Sequence, residues 1–207
     1  MCDLFLLRHG ETAGQSSIRF YGATDIELSE IGEQQMSRAG DILGKEKFKT
    51  VIVSPMRRSI ESTAIVLDGR KYDPVVVNDF REINFGEWEG LTAEEIADLF
   101  PDAYREWKET GTMDRFPGGD SKTEFYTRVG AASQEVFNGA ETPVLAVLHK
   151  GVIRGILSAL LDVPVTRIIN RRIELGSIHR LSRSPDGWKL VTDNETGHLG
   201  EYRMEHS

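Results

Sequence analysis

The chain has a single cysteine, Cys2, among 207 residues. No intramolecular disulfide can form, so the cysteine count allows a reducing compartment, and Cys2 itself is read as neutral to structure. Basic charge is also short: 25 Lys and Arg stand against 33 Asp and Glu, a formal net charge of -8. A surface of that sign argues against nucleic acid or anionic membrane as a partner, because both need clustered cations. A local basic pocket for one small phosphorylated ligand remains compatible with it. Long apolar runs are missing as well. Leu4–Leu7 ends at Arg8 and is too short for a signal-peptide core or a membrane span. These absences lead to the expectation of a cytoplasmic protein. The 5 histidines show neither H-x-x-H nor H-x-x-x-H spacing and no accompanying carboxylate cluster, which counts against a metallohydrolase.

What is present is an ordinary globular composition, 39% hydrophobic and 28% charged, over a length that suits one domain spanning 1–207. Short apolar runs at Leu4–Leu7, Val51–Val53, Val75–Val77 and Val144–Leu148 read as buried strands. Helical faces alternate with them: Leu28, Ile31, Met36, Ala39 and Leu43 behind a Ser29 cap; Ile60, Ala64 and Leu67; Phe125, Val129, Ala132 and Val136; and Ile153, Ile156, Leu157, Leu160 and Leu161. Thr92 with Glu95, and Ser121 with Glu124, fit the capping-box pattern. Ser177–Arg183 and Trp188–Thr192 read as a strand pair about the turn Ser184-Pro185-Asp186-Gly187. The alternation predicts a three-layer α/β sandwich: a mostly parallel sheet, helices on both faces, and a small helical cap inserted at about 83–140.

In such sheets ligands bind beyond the carboxyl ends of the strands. Arg8-His9-Gly10-Glu11-Thr12 follows the first run and Ser54-Pro55-Met56-Arg57-Arg58 the second. Asn78-Asp79-Phe80-Arg81-Glu82 follows the third, and His149-Lys150-Gly151 the fourth. Two histidines, several cations and one candidate acid thus reach one edge. Singly, each has a bland reading as a surface cation, a helix cap or a satisfied polar group. Together they fit phosphoryl transfer: arginine forks hold phosphate oxygens, a neutral imidazole attacks in line, and a carboxyl group protonates the leaving oxygen.

The string Leu7-Arg8-His9-Gly10-Glu11-Thr12 resembles the signature of the histidine phosphatase (phosphoglycerate-mutase-like) superfamily. Three more segments match in order: Ser54-Pro55-Met56-Arg57-Arg58 with Thr63-Ala64, the stretch Arg81–Gly90, and Leu148-His149-Lys150-Gly151-Val152-Ile153-Arg154. The resemblance implies that His9 becomes a phosphohistidine. Arg8, Arg58 and His149 would surround the phosphoryl group, and Glu82 would act as general acid and then base. It implies no metal and no organic cofactor. Thr12, Gln15, Gly22 and Lys150 are the candidate substrate-binding positions. Gln15 stands where many members have Asn, and Lys150 where a second Gly is common. The Lys150 side chain could face the pocket or solvent, and solvent is slightly favoured.

No basic insertion of the kind carried by cofactor-dependent phosphoglycerate mutases separates Glu82 from His149. Asn84–Gly90 and Phe116-Pro117-Gly118-Gly119-Asp120-Ser121 resemble the phosphatase branch. Leu175–Leu181 is similar to α-ribazole phosphatases of cobalamin synthesis, and broad-specificity phosphatases are close to the same pattern. The expected reaction is hydrolysis of a small phosphorylated metabolite, α-ribazole 5′-phosphate being one possibility. A 2,3-bisphosphoglycerate-dependent mutase and a non-catalytic phospho-ligand binding module stay as alternatives. Residues 109–120 read equally as a mobile lid or a plain connection. Trp88, Trp107 and Phe116 read equally as an apolar rim or as cap core. His198 is expected near the mouth, His179 and His206 as structural or solvated. Oligomeric state is open, a dimer included.

Overall fold

Strands buried on both faces carry near-continuous apolar runs, and this sheet shows why. A computed structural model describes residues 2–204, so His206 lies outside the described residues. Its strands are β1 (Cys2–Arg8), β2 (Thr50–Val53), β3 (Val75–Val76), β4 (Val144–Leu148), β5 (Ile178–Ser184) and β6 (Gly187–Glu195). They form a sheet in the order β3-β2-β4-β1-β5-β6. β1, β2, β3 and β4 are parallel, while β5 and β6 run antiparallel along one side. Successive side chains point to opposite faces. Leu4 and Leu6 of β1, with Val144, Ala146 and Leu148 of β4, enter one apolar cluster. Phe5 and Leu7, with Leu145 and Val147, enter the other.

The second cluster is covered by α1 (Glu30–Leu43) and α2 (Arg57–Leu67). Ser29 caps α1 by accepting from the Gly32 N–H, as expected. Two expected apolar faces need correction. Ile31 is exposed, and α1 buries Gln35 beside Met36, Ala39 and Leu43. On α2, Ile60 and Ala64 face out, and the buried face carries Arg58, Ser59, Ser62 and Thr63. The first turns of that helix lie against polar groups at the strand ends and bury polar side chains, while Val66 and Leu67 at its far end join the apolar cluster, so of the expected face Leu67 alone is buried. The Val75–Val77 run is likewise no buried strand. β3 sits at the sheet edge with Val75 and Val76 each about half exposed.

The first cluster is covered by α5 (Lys122–Gly139) and α6 (Lys150–Leu160), the latter followed by α7 (Val165–Ile168). Because α5 packs on α6 as part of the main layer, the insertion is smaller than 83–140 and ends before Lys122. It holds α3 (Ala93–Leu99) and α4 (Pro101–Arg105), with a short π turn at Glu106–Thr110. The Thr92–Glu95 capping box is present. Ser121 caps α5, but Glu124 turns to Arg115 instead of closing a box. Trp88 is fully buried and meets Trp107 and Phe116 edge-on, with ring centroids 5.7 Å and 5.3 Å away. Such aromatic pairs add about 0.5–1.5 kcal/mol each beyond burial. Trp88, Ile96, Met113 and Phe116 share one cluster with Leu4 and Leu6, so cap and main domain have a continuous core.

Residues 109–120 form a bonded connection. The Asp114 carboxylate accepts from Ser121 Oγ at 2.6 Å and from the Thr123 N–H at 2.9 Å. Asp120 Oδ2 accepts from the Asn84 N–H at 3.0 Å.

Candidate active site

β1 and β4 are adjacent and parallel, with Arg8 opposite Leu148 in register. Their first residues beyond the sheet, His9 and His149, therefore meet with ring centroids 5.1 Å apart. Gly10 lets the chain after His9 pass close to α1: a Cβ there would sit 2.4 Å from the Gly32 carbonyl oxygen.

His9 is 4% exposed, and its Nδ1 lies 2.7 Å from the Gly10 carbonyl oxygen. A carbonyl only accepts, so Nδ1 holds the proton and Nε2 keeps its lone pair. Burial, followed by the positive charges of Arg58 and Arg8, holds the imidazole well below its ordinary range, against an opposite pull from the Gly10 carbonyl. The ring is neutral at physiological pH, with its unprotonated Nε2 free of a protein partner.

His149 is fully buried and has the complementary tautomer. Arg58 Nε donates to its Nδ1 at 3.3 Å, so Nε2 carries the hydrogen and donates to Ser54 Oγ at 2.7 Å. Burial first, then Arg58, lowers its basicity too. Arg58 is fully buried, and its other nitrogens donate to the carbonyls of Thr24 and Gly22 at 2.9 Å and 2.8 Å. Arg8 donates to the Ile173 carbonyl at 2.7 Å, and its Nε has no protein partner. Desolvation pulls this guanidinium down to about 10, leaving it charged.

Glu82 is 7% exposed. Its oxygens accept from the backbone N–H groups of Ile83 at 2.9 Å and Gly151 at 2.8 Å. The second bond ties the carboxylate to the first turn of α6, directly after His149 and Lys150.

A cavity of about 390 Å³ opens beside these groups, and Arg8, His9, Glu82 and Lys150 line it. Ligand pockets for small metabolites begin at about this size. Arg58 and His149 do not line it; they lie buried against His9. Ser16, Ser17, Phe20, Trp107 and Phe116 add to its wall. Trp107 and Phe116 thus contribute to the rim, and Trp88 belongs to the core.

Three of the expected substrate-binding residues do other work. Gln15 is exposed and does not line the cavity; it has a positive φ of 65°, and its carbonyl accepts from the Ile18 and Arg19 N–H groups. The αL backbone that Asn tolerates is used here, and the amide is not. Thr12 is buried, and its hydroxyl accepts from the Ser16 N–H at 3.3 Å. Gly22 supplies a carbonyl to Arg58, and a Cβ on it would come 1.7 Å from the Ile83 oxygen. All three shape the loop, and Ser16 and Ser17 face the cavity in their place. His198 does not line the cavity and bonds the Gly176 carbonyl. His179 is buried against Asp193.

Two residues escaped the sequence reading. The Glu89 carboxylate collects the N–H groups of Gly22, Ala23, Thr24 and Phe85 and the Thr24 hydroxyl. It clamps the loop whose carbonyls hold Arg58. Its position inside the Asn84–Gly90 stretch was the available signal. Arg154 lines the cavity one turn after Lys150 on α6, and its i+4 spacing from Lys150 was the signal there.

Lys150 lines the cavity and does not point to open solvent. Burial, then Arg8 and Arg154, push its ammonium down to about 7, against an upward pull from Glu82. The folded value lies below the ordinary 10.5, so carrying this amine costs stability. That cost is complete below pH 7 and fades as pH rises toward the unfolded value. Lys150→Met is expected to raise Tm by roughly 2–8 °C at pH 6.5 and by clearly less at pH 9. Equal shifts at both pH values in thermal melts would show that the ammonium carries no strain.

A model of the histidine phosphatase superfamily (branch 1) matches residues 4–196. The chain is 29% identical over 206 residues to phosphoserine phosphatase 1 of Hydrogenobacter thermophilus, covering 99% of this chain and 98% of that one. It is 35% identical over 172 residues to glucosyl-3-phosphoglycerate phosphatase of Mycobacterium tuberculosis, covering 78% and 76%. The crystal structure of α-ribazole phosphatase from Shigella flexneri superposes with a TM-score of 0.84 over 94% of this chain and 96% of that one, at 21% identity, a likeness of fold. With Arg8, His9 and Glu82 lining one cavity at the carboxyl edge of its sheet, the chain belongs to the histidine phosphatase superfamily, branch 1, as a hydrolase of phosphate monoesters.

Proposed function

We propose that His9 Nε2 attacks the phosphorus of a small metabolite ester and carries the phosphoryl group. The single observation behind this is the tautomer lock: the Gly10 carbonyl holds the His9 proton on Nδ1 and leaves Nε2 bare beside the cavity. As the N–P bond forms, the ester P–O bond breaks and Glu82 gives its proton to the leaving oxygen. Water then attacks the phosphohistidine, Glu82 takes the proton, and phosphate leaves with His9 restored. Arg8 balances charge on the equatorial oxygens. Arg58 and His149 back the nucleophile and hold its ring in place.

The ester itself is open to assay. α-Ribazole 5′-phosphate, phosphoserine and glucosyl-3-phosphoglycerate are the substrates that the relatives suggest. Among the described residues no group of His, Cys, Asp or Glu could hold a metal ion. No described helix is long and apolar enough to cross a membrane. Phosphate release across a panel of esters is expected to continue undiminished in EDTA. Radiolabelled phosphate from the ester should appear on His9 as an acid-labile, alkali-stable adduct after rapid quenching. Turnover without a label on His9, or activity abolished by EDTA and restored by a divalent ion, would overturn the mechanism.

A further inference from the structure

The cavity holds more positive charge than one phosphoryl group needs. Arg8, Arg19, Lys108, Lys122, Lys150 and Arg154 line it, and Glu82 is the lone carboxylate on its wall. Two of these cations are spoken for. Arg19 pairs with Glu95 at 2.8 Å, and Lys108 lies over the Trp107 ring at 5.5 Å. Arg8, with Arg58 behind it, matches the charge of a phosphate monoester near neutral pH, about -1.5 to -2. Lys122, Lys150 and Arg154 remain.

Lys150 and Arg154 gather on the Glu82 side of the cavity, and Lys122 lines another part of its wall. Lys150 and Arg154 lie one helical turn apart and share a face of α6. Lys150 is flanked by Arg8, Arg154 and Glu82, and Tyr126 of α5 by Arg154 and Glu82. Lys122 lines the cavity from the first residue of α5, with the Asp114 carboxylate as its neighbouring charge. Among the described residues, Lys150 makes no ion pair and no side-chain hydrogen bond. Arg154 donates to the Arg171 carbonyl at 3.2 Å, and its buried Nε has no partner. Half-burying Lys150 and Arg154 side by side without an ion pair is unfavourable, and a bound anion would offset that cost. Glu82 protonates the leaving oxygen in the proposed mechanism, so cations grouped around it face the leaving group.

We infer that Lys150, Arg154 and Lys122 form a second anion subsite, and that the substrate is a phosphate monoester whose leaving group carries a carboxylate or a second phosphate. This rests on the phosphohydrolase reading of the same cavity. Tyr126, kept protonated by burial, adds a hydroxyl to the same wall. An ester with an uncharged leaving group, such as α-ribazole 5′-phosphate, leaves the three cations unmatched.

Matched esters test this. 3-Phosphoglycerate and glycerol 3-phosphate differ by a carboxylate; fructose 1,6-bisphosphate and fructose 6-phosphate differ by a second phosphate. In at least one pair, kcat/KM for the doubly anionic ester should exceed its partner's by roughly 10- to 100-fold, the range for hydrogen bonds between charged groups. Lys150→Gln should collapse that ratio toward one, and Lys150→Arg should retain most of it. Ratios near one in both pairs overturn the subsite. So does a Lys150→Gln variant that slows both members of a pair by the same factor, because a role at the transferred phosphoryl group predicts that result. Failure to hydrolyse p-nitrophenyl phosphate would instead overturn the phosphohydrolase reading, a separate outcome.

Discussion

His9→Ala is expected to lower turnover of every ester by roughly 10⁴-fold or more, the scale on which a covalent nucleophile is lost. The protein should stay folded. The ring's one protein hydrogen bond goes to the Gly10 carbonyl, beside a cavity that water can enter, so its removal costs about 1 kcal/mol. Circular dichroism and Tm close to the parent, with no phosphoryl label, complete the expected picture. The parent's pH profile carries a related signature. Burial and the two neighbouring guanidinium groups hold the His9 imidazole well below its ordinary range. Protonation silences the nucleophile, so the acid-side loss of kcat/KM attributable to His9 falls below the pH at which a free imidazole titrates. Residual turnover near the parent level in His9→Ala would remove the phosphohistidine from the mechanism.

Glu82→Gln separates the two chemical steps. The amide cannot protonate a leaving oxygen, so hydrolysis of alkyl phosphates should fall by roughly 10²- to 10⁴-fold. p-Nitrophenolate leaves without a proton, so transfer from its ester to His9 should continue. Water activation then lacks a base, and the phosphohistidine should accumulate. Stopped-flow traces should show a burst of p-nitrophenol of about one equivalent per site, followed by slow release. A residue acting only through its bonds to the Ile83 and Gly151 N–H groups would depress both esters alike, with no burst. That pattern would reduce Glu82 to a positioning residue.

The sheet and its reactive edge were legible because parallel strands buried on both faces are written as unbroken apolar runs. β1 and β4 were readable in this way, and the residue after each strand is a histidine. Other parts resisted for definable reasons. The inward face of α2 is polar over its first turns, so apolar spacing there points to Ile60, which is 47% exposed. A motif shows where the chain approaches a ligand, but not whether main chain or side chain is used. Gln15 and Gly22 contribute backbone geometry and carbonyls, and Thr12 turns its hydroxyl to the Ser16 N–H, so all three shape the loop. Lys122, Arg154 and Ser16 lie far apart in sequence and converge only through packing, which no local pattern encodes. α5 was assigned to the cap because its own pattern says nothing about which neighbour covers it.

Pairing β1 with β4 also has a consequence for the order of events as the chain folds. The two histidines meet only after a strand near residue 4 has closed against one near residue 144, around everything between. Contacts of such long sequence separation form late, because the closure entropy is spent before they stabilise anything. The helices and the Ser184–Gly187 hairpin can mature earlier from local contacts. Recovered enzymatic activity is thus a clock for the slowest closure, and it should lag behind recovery of helical signal when the denatured protein refolds.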